Sequence, residues 1–256
     1  MHVEFEHLTV EKEGKIARMI LDRPDRLNAI HHDAARDLDA VSQLLDRDQG
    51  VRLVVIEGEG RVFCSGVDLK ELSQGNVDER LYPPWERGLR RFELMDAIVV
   101  CLVHGYALGG GLQLALAGDI RVCTRSAELG LTAIEESILP GLGTWRLARF
   151  IGMGRAKKMS ILGNLIDGEE AFRIGLVDHL VDEDTMEAEF DAVIDRYMEA
   201  NSVGARLTKR ATVDSFDLGF EEFFEQYLQL QAEAMASEDF EEAMAAIRED
   251  RDPEWA

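Results

Sequence analysis

The stretch from Val103 to Asp119 constrains this chain most. Ala97–Val103 is an unbroken apolar run closed by a turn signal at Gly105, which predicts a central strand. Gly109, Gly110 and Gly111 then stand in a row. After them Leu112, Leu114, Ala115, Leu116 and Ala117 make an almost wholly apolar helix, with Gln113 as its one polar side chain. Glycines where a helix begins let something approach the backbone, and the first-turn amides point outward. The glycines alone leave two readings open. One is an oxyanion or anion site; the other is tight packing of a helix against a sheet.

The rest of the chain supports an α/β fold. Val3–Val10 and Lys15–Leu21 predict two strands joined by a tight turn near Gly14. His32–Leu45 carries Ala35, Leu38, Val41 and Leu45 at helical spacing, and Val51–Glu57 is a short apolar strand. Strand, helix, strand is the order of a βαβ crossover. Gly66 permits a bend, and Asp68 is placed to cap a helix starting at Leu69. Gln74–Pro84 is polar and turn-rich, which predicts a mobile loop before a helix over Trp85–Asp96. Asp119–Cys123 and Glu128–Leu131 predict further strands. Helices are expected over Thr144–Ile151, Gly154–Leu162 and Asp167–Ile174, followed by an extended Leu176–Val181. Beyond it the pattern is helical, over Glu187–Ala200, Gly204–Asp214, Gly219–Met235 and Asp239–Arg248. The division falls near residue 200: residues 1–200 as the core and residues 201–256 as a helical C-terminal region. Phe216, Phe220, Phe223, Phe224, Tyr227 and Leu230 form apolar stripes on the last helices, suited to packing on the chain's own core or on another subunit.

The formal charge is −22, from 50 acidic and 28 basic residues. That field opposes nonspecific nucleic-acid binding but leaves room for an anionic ligand at a local basic patch. No run of about 18 apolar residues exists, so no membrane span is expected. MHVEFEHLTVEKEG lacks the regions of a signal peptide. Cys64, Cys101 and Cys123 match no metal spacing, and their odd number suits a reduced, cytoplasmic protein. No metal site is expected.

Two turns are candidates for chemistry. Val67 after Gly66 and Gly110 within the triplet each present a backbone amide. Brought together, they make a two-donor oxyanion hole suited to a thioester carbonyl whose oxygen gains charge on enolisation. Each donor of such a hole contributes roughly 3 kcal/mol to the transition state. The acid and base are less legible. His31, His32, His104 and His179 form no triad or metal motif, and Ser65 lies in no nucleophile elbow. Glu135 and Glu136 are adjacent near a turn, so at most one need face a pocket.

In this order and spacing, RPDRLNAI at 23–30, FCSGVDLKEL at 63–72, HGYALGGG at 104–111, LPGLGTWRLARFIG at 139–152 and GEEAFRIGLVDHLV at 168–181 resemble the crotonase family, the enoyl-CoA hydratase/isomerase superfamily. The resemblance implies an α/β spiral of ββα units with a C-terminal helical trimerisation region. It implies an acyl-CoA substrate, with coenzyme A as part of the thioester and no tightly bound cofactor. It implies a homotrimer or a dimer of trimers. The oxyanion hole maps to Val67 and Gly110. The CoA path maps to Arg23, Leu27, Gly66, Asp68 and Lys70, with Arg251 left to meet a CoA phosphate in a tail where Asp250 and Asp252 replace common lysines.

The departures shape the expected function. A typical hydratase carries one catalytic glutamate at the position of Gln113 and a second seven residues before the Pro-Gly turn, which here is Ala133. Glutamine cannot serve as a carboxylic acid or carboxylate base. Ordinary hydration is therefore disfavoured. Glu135, Glu136, or a residue of the loop such as Asp78, Glu79 or Tyr82 would have to move protons. The expected function is an acyl-CoA enzyme that stabilises a thioester enolate, of hydratase/isomerase type. The alternatives are a malonyl-type acyl-CoA decarboxylase, a hydrolase, or a noncatalytic acyl-CoA-binding protein.

Overall fold

The structure is a computed structural model and describes residues 1–255. The chain opens with an antiparallel meander of β1 (His2–Glu4), β2 (Leu8–Glu13) and β3 (Ile16–Leu21). The single strand expected over Val3–Val10 is thus two, because Phe5 N–H donates to Leu8 O at 2.8 Å and turns the backbone between them. Next come α1 (His32–Arg47), β4 (Leu53–Gly58), α2 (Leu69–Ser73) and α3 (Tyr82–Leu94). They are followed by β5 (Ile98–Val103), β6 (Tyr106–Leu108), α4 (Gly110–Ala117), β7 (Ile120–Thr124) and β8 (Glu128–Gly130). The second half holds α5 (Gly143–Leu162), β9 (Ile166–Asp167), α6 (Gly168–Arg173) and β10 (His179–Val181). The chain ends in α7 (Met186–Met198), α8 (Ser202–Asp217), α9 (Phe220–Met235) and α10 (Glu238–Glu249).

Seven strands form the main sheet in the order β1-β2-β3-β4-β5-β7-β10, parallel from β3 onward. A second, smaller sheet runs β6-β8-β9. Isolated parallel bridges at Ile30–Val67 and Cys64–Ala107 continue that small layer toward the start of the chain. Successive passes of the chain therefore stack a main strand, then a short second strand, then a helix. This is the spiral of ββα units that the resemblance implies. Buried on both faces, the parallel strands read as near-continuous apolar runs, which is why they were legible.

The proline-rich stretch is the main correction. Gln74–Pro84 is not wholly a loop: Glu79–Leu81 is a single 3-10 turn, and α3 starts at Tyr82. Pro83 and Pro84 occupy the first helical turn, where a missing N–H leaves no bond unmade. The two helices expected over Thr144–Ile151 and Gly154–Leu162 are α5, whose axis breaks at Gly152 with a φ of 77°.

All eight residues of α4 are buried, so the glycine-led helix is the central element of the core. Outside the core, α8 is tied to it by Lys209. Its ammonium donates to Phe92 O at 3.0 Å and Ala97 O at 2.8 Å, and pairs with Asp119 at 2.8 Å. Burial pushes the Asp119 carboxyl above its ordinary range against the pull of Lys209. In contrast, α9 buries no residue, and Phe220, Phe224, Tyr227 and Leu228 are exposed on it. Among the described residues, no helix is long and apolar enough to cross a membrane.

Candidate active site

The site is built where the second-layer segments meet the start of α4. Cys64 joins this layer through Leu108 N–H, which donates to Cys64 O at 3.0 Å. The chain then bends at Gly66, whose φ is 91°. A Cβ there would stand 2.7 Å from Leu108 O, so no other residue fits. Ile30 N–H donates to Gly66 O, and Asp68 N–H donates to Ile30 O, both at 2.8 Å. These bonds flank Val67, so its own amide faces away from Ile30. Among the described residues, the Val67 amide donates to no protein acceptor.

The second amide comes from the helix start. Gly109 turns with a φ of 50°, and its N–H donates to Gly130 O at 2.8 Å. Gly110 is the first residue of α4, so its amide has no partner within the helix. It lies against the Gly66 bend: a Cβ on Gly66 would come within 3.4 Å of the Gly110 nitrogen. The two readings of the glycine triplet are divided among its members. Gly111 serves packing, since a Cβ there would meet Cys64 O at 2.2 Å, while Gly110 presents a free amide.

Both amides line a pocket of ≈ 60 Å³ together with Tyr82, Gln113, Ala133, Glu136 and the Pro140–Gly141 turn. Gln113 and Ala133 therefore face the same space. Gln113 is 4 % exposed, and its Oε1 is buried without a hydrogen-bond partner. Burial raises the Tyr82 hydroxyl above its ordinary pKa, which keeps it protonated.

The 3-10 turn Ala133–Glu136 separates the two adjacent glutamates. Glu136 is half-buried and lines the pocket; Glu135 is exposed and reaches toward Gly163 at the end of α5. From the preceding segment only Tyr82 reaches the pocket. Arg80 and His32 hold the Asp78 carboxylate outside it and lower its pKa to about 2, and Glu79 is exposed.

The residues on the expected CoA path divide in the same way. The Arg23 guanidinium donates to Ala29 O and pairs with Asp68 at 3.3 Å, and Asp68 accepts from Glu71 N–H as the cap of α2. Both are engaged in holding the backbone. Leu27, with a φ of 54°, accepts from Ser65 N–H at 3.0 Å and so supports the Gly66 bend. Lys70 is exposed and, among the described residues, makes no ion pair. Arg251 pairs with Glu242 at 2.6 Å and Glu249 at 2.7 Å, which raises its own pKa and lowers that of Glu242 to about 2.

Asn28, which sequence reasoning passed over, braces the approach. It is buried with a φ of 55°, and its Nδ2 donates to Glu59 O, Val62 O and Phe63 O at 3.0, 2.9 and 3.1 Å. Asn28→Ala orphans three carbonyls at a left-handed position. The expected loss is about 3 kcal/mol, read from the denaturant midpoint, and an unchanged midpoint would contradict this role.

Outside the pocket, His7, His31 and Asp33 each offer a donor atom, all within 4.8 Å of one another. His31 Nδ1 accepts from Ala34 N–H as the cap of α1, and Asp33 pairs with Arg36. The positive end of α1 and the nearby Arg23 oppose a cation there. His31 is a helix cap, and His7 packs edge-on against it with ring centroids 4.5 Å apart. The three cysteines are buried, and burial pushes each thiol up to about 12, which suits packing and not nucleophilic chemistry.

Sequence reasoning also passed over Glu86 on α3. Its Oε1 accepts from Leu142 N–H at 3.0 Å, and its Oε2 pairs with Arg146 at 2.7 Å. Its sequence signal is weak, because Glu86 is one of several charged residues on α3, with Arg90 and Glu93 one and two turns further along the same face.

Comparison with known proteins agrees with this architecture. The family model described as enoyl-CoA hydratase/isomerase matches residues 11–256. A short-chain-enoyl-CoA hydratase of Clostridium acetobutylicum is 31 % identical over 253 residues, covering 97 % of each chain. A crotonyl-CoA hydratase of Syntrophomonas wolfei is 31 % identical over 256 residues, covering 96 % of each. The crystal structure of an enoyl-CoA hydratase from Bacillus anthracis superposes with a TM-score of 0.89 at 27 % identity, covering 98 % of this chain and 99 % of that one. A match of this length, on a spiral of ββα units, means that the chain belongs to the enoyl-CoA hydratase/isomerase family, the crotonase superfamily.

Proposed function

We propose that the chain moves the double bond of an enoyl-CoA thioester. The Val67 and Gly110 amides hold the thioester oxygen, and Glu136 carries the proton. The observation behind this reading is the composition of one small pocket: two free amides, a single carboxylate, and Gln113 and Ala133 where a hydratase has its pair. Withdrawing an α- or γ-proton places charge on the thioester oxygen, where the amides meet it. One carboxylate can take the proton from one carbon and return it to the other. Addition of water is the poorer fit, since Gln113 can orient a water but cannot deprotonate it. Decarboxylation of a malonyl-type thioester fits less well too, because Glu136 would face a second negative charge.

The test is turnover of 3-enoyl-CoA, 2-enoyl-CoA and malonyl-type thioesters. Isomerisation exceeding hydration supports the proposal. Hydration as the faster reaction overturns it, and decarboxylation alone moves the assignment to that alternative. No turnover with tight binding would make the chain a noncatalytic acyl-CoA-binding protein.

For the CoA portion, Lys70 is the phosphate contact favoured here, since Arg23 and Arg251 have acidic partners within the chain. No tightly bound cofactor is required. The cytoplasmic location expected from the cysteines is retained as part of this reading. A homotrimer or a dimer of trimers is supported by α9, whose Phe220 and Phe224 stack in solvent with ring centroids 6.1 Å apart. Replacing both by serine is expected to reduce the mass measured by sedimentation to that of a smaller species. An unchanged mass would place the interface elsewhere.

A further inference from the structure

A row of alternating charges runs from the pocket turn to the end of α8. It starts at Leu142 N–H, which donates to Glu86. Glu86 pairs with Arg146 at 2.7 Å, and Arg146 pairs with Glu93 at 2.5 Å. Glu93 pairs with Arg90 at 2.7 Å, and Arg90 pairs with Asp217 at 2.8 Å. Asp217, the last residue of α8, also pairs with Arg149 at 2.8 Å. The Arg146 side chain is only 2 % exposed, whereas Asp217 is 30 % exposed. The row is most buried at Arg146 and Glu93 and opens to solvent at Arg90 and Asp217.

Its pocket end touches the turn that faces Gln113. A Cβ on Gly141 would lie 2.9 Å from Gln113 Oε1 and 3.1 Å from Glu86 Oε1. Gly141 is therefore held between the two side chains, and Leu142 is fixed to one of them. The open end lies three residues before Phe220, where the uncovered aromatic face of α9 begins.

We propose that Glu86 is a positioning residue. It sets the Pro140–Gly141–Leu142 turn over Gln113, and the row Arg146–Glu93–Arg90–Asp217 makes that setting depend on how α8 is seated. The kinetic part rests on the acyl-CoA reading above; the structural part does not. A buried guanidinium between two carboxylates has one low-energy geometry, so removing a member shifts its neighbours. The turn moves with Glu86, because Leu142 N–H has no other acceptor.

Amide hydrogen exchange at Leu142, with kcat and KM on a thioester the wild type converts, tests this in the full-length protein. Glu86→Ala is expected to speed Leu142 exchange and lower kcat roughly 10-fold with KM within about twofold. Glu86→Gln keeps an acceptor oxygen and restores slow exchange and most of kcat. Asp217→Asn, at the exposed end, produces a change of the same sign and roughly threefold size. Unchanged Leu142 exchange in a folded Glu86→Ala protein overturns the proposal. If that variant does not fold, unchanged exchange in Asp217→Asn overturns it. Wild-type protein without turnover would remove the functional reading and leave the exchange result to decide this one.

Discussion

Gly110→Pro is expected to lower kcat/KM by about 10²- to 10³-fold, the usual cost of one oxyanion-hole donor. Proline replaces the amide hydrogen with a ring methylene on the same nitrogen, so the donor is lost and the space it faced is filled. Gly110 is the first residue of α4, where proline is favoured and no helical bond needs its N–H. The added ring would press on Ile30 Cδ1, 2.6 Å from the Cβ position, but that atom is the movable end of a side chain. The fold should persist, as circular dichroism would verify. Steady-state kinetics on the best acyl-CoA substrate then measures the loss of this oxyanion position, donor and space together. Activity within about threefold of wild type would remove Gly110 from the mechanism.

Glu136→Gln is expected to lower kcat by about 10²-fold or more, the contribution of a positioned general acid or base. The side chain keeps its size and loses its proton-transfer capacity. Glu135→Gln is the matched comparison, because Glu135 is exposed and directed toward Gly163. It should leave kcat unchanged. Equal losses in both variants would indicate a shift of the whole 3-10 turn. Loss in Glu135→Gln alone would assign the proton transfer to the wrong glutamate here. Proton exchange from the substrate α-carbon into heavy water separates this step from later ones.

Much of this arrangement is legible in the sequence, for identifiable reasons. The parallel strands show as apolar runs because both faces are buried, and the glycine triplet shows because a helix start must approach Cys64 and Gly66 closely. Gln113 and Ala133 are readable as departures because each falls at a fixed distance from a glycine or proline landmark. The start of α3 is hidden by Pro83 and Pro84, which signal a break in the middle of a helix but fit its first turn. Glu135 and Glu136 cannot be told apart in sequence, since a rotation of about 120° per residue within one tight turn sends them to different sides. Glu86 is invisible for another reason. Its role comes from Arg146, 60 residues away, and from a turn amide on the same later segment. Single residues whose partners lie on distant segments leave no local pattern.

In the proposed reaction the two free amides hold a thioester oxygen beside one carboxylate. A crystal structure with a bound, slowly reacting acyl-CoA tests it most directly. The thioester oxygen is predicted to sit about 3 Å from both the Val67 and Gly110 nitrogens, with the Glu136 carboxylate facing the α- or γ-carbon. A thioester bound away from these amides, or a Glu136 turned to solvent in the complex, would contradict the account.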